Sequence, residues 1–183
     1  GSASIEITTM ELVNAENKTA ADSINKYFSY LPDFSVYDDS TNNTPPKTVN
    51  ELMDNFIDMY INDIVKDSIN FDGHIPEYEA DNSVEILYNG DYILSVSNMN
   101  FTYLGGAHPN TIFTYASFDL ATGKEITTAD LFKPGYEKKL NKLGEKKFRE
   151  FYQLDKNKSL NEQGFWFDDG FKLNENFYIT KAG

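Results

Sequence analysis

The chain has 183 residues, enough for one domain with its own core, and its composition is globular, with 40% hydrophobic, 25% charged and 15% aromatic residues. The formal net charge of −13 is uneven: residues 1–132 hold 21 acidic residues against 5 lysines, whereas residues 133–183 hold 8 acidic against 11 basic ones. That field repels phosphate backbones, which argues against nucleic acid as a partner and favours cationic ones. The lack of cysteine removes disulfides, thiolate metal sites and cysteine nucleophiles.

In chain order, residues 3–13 alternate imperfectly through Ile5 and Ile7 to Met10 and Val13, which reads as a first strand. Thr19 with Asp22 resembles a capping box, and Ile24, Tyr27, Phe28 and Leu31 follow at helical spacing until Pro32. Residues 32–47 are loop chemistry, dense in Asp, Asn, Ser and Pro. A second box, Thr48 with Glu51, opens a long helix whose stripe of Val49, Leu52, Met53, Phe56, Ile57, Tyr60, Ile61, Ile64 and Val65 reads as core.

The period then changes to two. Val84, Ile86 and Tyr88 lead to a turn expected at Asn89-Gly90, a second strand runs to Leu104, and a third covers TIFTYASFDL, so an antiparallel meander is expected. Thr127 with Asp130 starts a short helix. A longer, basic helix follows, with an apolar face from Tyr136 to Tyr152 and six Lys or Arg that read as a solvated surface. A last strand is expected near Phe177 to Thr180. These elements predict an α+β fold, an antiparallel sheet of about four to five strands packed by two to three amphipathic helices. They predict a single domain over 1–183, with a strand-helix-helix subregion at 1–90 and the remainder at 91–183.

Catalytic patterns are missing from the sequence. His108 and His74 have no companions at metal-ligand spacing, and Asp155, Asn157 and Ser159 begin a calcium loop that lacks its glycine and its final glutamate. No nucleophile elbow or phosphate-binding glycine loop occurs. No metal or cofactor is therefore expected, and a hydrolase using His108 with a nearby acid is the least favoured reading.

The segment YLGGAHPNT, residues 103–111, reads as a wide hairpin turn in which Gly105 or Gly106 takes positive φ and His108 caps backbone groups or packs on Tyr103. Its alternative is a contact loop formed by Tyr103, Gly105, Gly106, His108, Pro109 and Asn110, since loops on rigid sheets often carry binding. The sole tryptophan, Trp166, reads as a packing residue, with a glycan contact as the alternative.

The stretch FTYLGGAHPNTIFTYASFDLATGKEITTADLF, residues 101–132, resembles the signature of the extracytoplasmic domain family shared by RsiV-type anti-sigma factors and the N-terminal region of PdaC-type peptidoglycan deacetylases. FKLNENFYIT near the end is similar to the family's late strand. The resemblance implies an extracytoplasmic α+β domain of the cell envelope, carried by a membrane protein or lipoprotein. In the RsiV branch it implies lysozyme binding, and in the deacetylase branch an accessory role beside a separate catalytic domain. Lysozyme or another basic protein, or a cell-wall glycan, are thus the expected partners. The opening Gly-Ser reads as a cloning scar, so any membrane contact is expected through an anchor outside these residues. The family's further strands suggest a sheet left incomplete after Lys181-Ala182-Gly183.

Overall fold

Two apolar periodicities, two for strands and 3.6 for helices, divide the chain into the observed elements. The structure, a computed structural model, describes residues 1–13, 15–29, 46–67, 75–167 and 170–182, without the side chains of 65–67. Most of the Pro32–Lys47 loop, and His74, lie outside the described residues. The chain falls into two compact units, residues 1–125 with 178–183, and residues 126–177.

In the first unit, β1 (Ala3–Ile7), β2 (Tyr78–Gly90), β3 (Ile93–Leu104) and β4 (Asn110–Asp119) form one sheet in that order. The last three strands are the antiparallel meander read from the sequence, but β1 runs parallel to β2, with Ile5 beside Ala80. A parallel pair needs a long crossover. Here α1 (Lys18–Phe28) and α2 (Val49–Asp67) both lie between the two strands in the chain. The fold is α+β, with a mixed, mostly antiparallel sheet.

Both helices cover one face of that sheet. Ile24 and Phe28 of α1 pack with Leu94, Val96, Ala116 and Phe118, while Leu52 and Phe56 of α2 pack with Tyr78 and Ala80. Burying each large apolar side chain contributes about 1.5–3 kcal/mol. Tyr78 also donates its hydroxyl proton to Asp63 Oδ2 at 2.9 Å, tying α2 to the sheet.

Three boundaries differ from the sequence reading. Helix α1 is capped by Asn17, whose Oδ1 accepts from the Ala20 N–H at 3.1 Å while its Nδ2 donates to the Ala121 carbonyl at 2.6 Å. The distant second partner explains why Asn17 and not Thr19 holds this end. The β2–β3 turn falls at Asp91-Tyr92, with φ of 51° and 62°, because the pairing of Ile86 with Val96 centres the hairpin near Asp91 and the extra residue Leu87 then leaves a loop of two. Asn89 and Gly90 then pair with Leu94 and Ile93, and a two-residue loop with left-handed backbone remains. The first strand ends at Ile7, short of Val13.

The expected strand at Phe177 to Thr180 is not part of the ladder. Ile179 donates its N–H to Ser117 Oγ at 2.9 Å and accepts from Ser95 Oγ at 2.8 Å, so side chains replace a neighbouring strand. The two serines, which face each other across β3 and β4, also bond to one another at 2.8 Å. Tyr178 sets its ring 5.0 Å from that of Tyr115.

The second unit holds α3 (Thr128–Leu131) and α4 (Glu137–Phe151). The Asp130 carboxylate accepts from the Thr127 N–H at 2.9 Å, as the capping pattern predicts. On α4, Phe148 gathers Tyr152, Phe165, Phe167 and Phe171 at centroid distances of 4.7–5.9 Å. Arg149 pairs with Glu145 at 2.8 Å and donates to the carbonyls of Asp155 and Lys158, which folds the following loop back on the helix.

Candidate functional site

The YLGGAHPNT segment is the β3–β4 connection, and the glycine with positive φ is Gly105 at 71°. A Cβ there would stand 2.6 Å from Pro76 Cβ and 3.2 Å from the Tyr78 ring, whereas one on Gly106 would meet nothing within 4 Å. Tyr103 is half-buried, and Gly105, Gly106, His108, Pro109 and Asn110 are exposed. Asn110 already pairs with Thr102 as the first residue of β4. His108 is exposed, and no hydrogen bond joins its ring to a described residue. These residues share one exposed loop without converging on a point. Trp166 is 80% exposed, which sets aside its reading as a packing residue.

Register, invisible to a scan along the chain, creates two other features. On the sheet face away from α1 and α2, Glu6 lies beside Asp81, Asp81 beside Phe101, and Glu79 beside Tyr103. Glu85 continues this acidic column on β2, while Met99 continues the apolar one on β3. Like charges side by side on neighbouring strands oppose pairing. In this column that applies to Glu6 and Asp81, the one like-charged pair directly opposite each other among the described residues.

The helix-covered face holds the second feature, a cleft of about 620 Å³ between α1 and α2. Asn82, Asn98 and Asn100 form part of its floor, with Tyr27, Met10 and Val49 among its walls. Strand pairing brings the three together: Asn82 is opposite Asn100, and Asn98 is opposite Val84, one step further along the same face. The Asn82 Nδ2 donates to the Oδ1 atoms of Asn98 and Asn100 and to the Met99 carbonyl, the last two at 2.6 and 3.2 Å. Burial first, and then the Glu125 charge, raise the pKa of the Tyr27 hydroxyl above 10.0. The sequence reading missed this trio. Its only linear signal was asparagine at the inward parity beside Val84 and Val96.

Among the described residues, no three His, Cys, Asp or Glu side chains could hold a metal ion, and no helix is long and apolar enough to cross a membrane. An α+β domain with an acidic sheet face and an amide-floored cleft has features suited to binding. Residues 2–111 match the family described as Deacetylase PdaC, and residues 129–183 match one described as a protein of unknown function, DUF3298. The chain therefore belongs to the PdaC family. No curated protein matches it.

Among solved structures, a DUF3298 family member from Bacteroides fragilis is 19% identical with a TM-score of 0.72, over 96% of this chain and 70% of that one. A DUF3298 family protein from Pseudomonas aeruginosa is 14% identical with a TM-score of 0.59, over 90% of this chain and 64% of that one. At these identities the likeness is one of fold. The two families together point to an extracytoplasmic accessory domain.

Proposed function

We propose that this chain is a non-catalytic, extracytoplasmic binding domain of a bacterial cell-envelope protein, and that its partner is a basic protein such as lysozyme. The observation that carries this reading is the acidic column Glu6, Glu79, Asp81 and Glu85 beside Phe101 and Tyr103 on one sheet face. Carboxylates next to aromatic rings suit a cationic protein surface: the charges steer encounter and the rings supply contact area. The net charge of −13 acts in the same direction at longer range. Its attachment to the envelope runs through an anchor outside these residues.

Titration calorimetry against lysozyme at low and moderate salt tests the reading. Binding is expected to weaken as salt rises, and to fall further when Glu79 and Asp81 are both changed to Lys. Absence of heat at both salt levels removes lysozyme as partner. Equal affinity in the double variant moves any contact away from this face.

Exposure of Trp166 favours a second reading, a cell-wall glycan-binding module accessory to a polysaccharide deacetylase. A pull-down on insoluble glycan with the Trp fluorescence spectrum unchanged counts against Trp166 as its contact.

A further inference from the structure

Between the apolar clusters under α1 and α2, where Val or Ile would pack without any polar demand, the sheet carries Asn82, Asn98 and Asn100. Asn82 is only 4% exposed, and a buried amide is tolerated only when its hydrogen bonds are made. Its NH2 group is satisfied by its two neighbours and the Met99 carbonyl. That arrangement leaves Asn82 Oδ1 and the Nδ2 atoms of Asn98 and Asn100 with no partner among the described residues. Asn82, Asn98 and Asn100 all line the cleft, and Asn98 and Asn100 are partly exposed. The trio thus presents two NH2 donors and one carbonyl acceptor, prearranged by its own hydrogen bonds.

The chemistry of the surroundings narrows what fits. An apolar ligand would strand the amides. An anion would meet neutral donors inside a chain of net charge −13, with Lys47 opposed by Glu11 in the lining. Hydroxyl groups that donate and accept at once match carboxamides and the Thr8 hydroxyl, and the C–H face of a ring can lie against Tyr27 and Met10. A volume of about 620 Å³ lies within the range of small-molecule sites.

We propose that the cleft between α1 and α2 binds an uncharged sugar unit, held by the amides of Asn98 and Asn100 and the Asn82 carbonyl. This deepens the glycan reading by giving it a site on the sheet, independent of Trp166.

The test is calorimetric titration of the whole chain with cellotriose and with chitotriose, in the wild type and in Asn98→Ala, Asn100→Ala and Trp166→Ala variants. Asn82→Ala is avoided because it removes the centre of the trio and threatens folding. One of the sugars is expected to bind, with either Asn variant weakening it roughly tenfold, the scale of one lost hydrogen bond, and Trp166→Ala leaving it unchanged. Each Asn variant removes one acceptor of the Asn82 NH2, so its melting temperature should fall modestly, and titrations are compared well below the lowest melting temperature. Loss of binding only in Trp166→Ala overturns the cleft site and keeps the glycan reading. No binding of either sugar overturns both. Should the Asn variants prove too unstable to titrate, the side-chain amide resonances of Asn98 and Asn100 decide: shifts on adding sugar support the site, and unmoved resonances overturn it.

Discussion

Gly105 and Tyr27 illustrate how single residues carry the surrounding structure. At Gly105 the left-handed backbone and the contact with Pro76 both exclude a side chain. Gly105→Ala is expected to destabilise the chain by about 1–2 kcal/mol, read as a lower urea midpoint, whereas Gly106→Ala should be near neutral. The sequence placed positive φ on one of these two glycines; choosing between them required knowing that Pro76 and Tyr78 lie underneath. Tyr27 titrates above 10.0 because burial and Glu125 disfavour its phenolate. A folded pKa above the unfolded one means that its stabilising contribution is complete below pH 10 and is lost as pH rises through the folded value. The melting temperature of the wild type should therefore fall more steeply above pH 10 than that of Tyr27→Phe.

At the scale of elements, α2 is the strongest periodic signal in the chain and matches its sequence reading closely. Its stripe is a core stripe in the middle: Leu52 and Phe56 are fully buried against Tyr78 and Ala80, yet Ile61 on the same stripe is 51% exposed. Phe56→Ala should cost about 3–5 kcal/mol in denaturant unfolding, and Ile61→Ala less than about 1 kcal/mol. Spacing alone cannot separate the two residues, because burial also depends on how far the helix runs past the sheet. The hairpin makes the same point. Asn89-Gly90 has the right turn chemistry, but the pairing of Ile86 with Val96 already centres the hairpin further along, and the turn forms at Asp91-Tyr92, where Asp91 accepts the Tyr88 hydroxyl proton at 2.7 Å.

Over the whole molecule, charge is the property that the sequence reports without the fold. If the acidic face docks a basic protein, raising salt should slow association far more than it speeds dissociation, because steering acts before contact and is screened beyond about 10 Å at 0.1 M. Stopped-flow measurement of both rates against lysozyme checks this. A salt effect confined to dissociation would place the charges in direct contact pairs, without a steering role.

Local pattern sufficed for much of this protein: helices α1, α2 and α4, the three-strand meander, the Thr127–Asp130 cap, the acidic balance and the family-like 101–132 motif. Those features depend on neighbours within a few residues or on composition, and both are written along the chain. The parallel pairing of β1, the serine-held segment at Ile179 and the Asn82, Asn98 and Asn100 trio were decided only in the tertiary structure. Each joins residues far apart in sequence: Ser95 and Ile179 are 84 positions apart, and Asn82 and Asn100 are 18. Strand register sets which side chains meet, and a one-residue slip of β3 would turn Asn98 and Asn100 to the face away from Asn82.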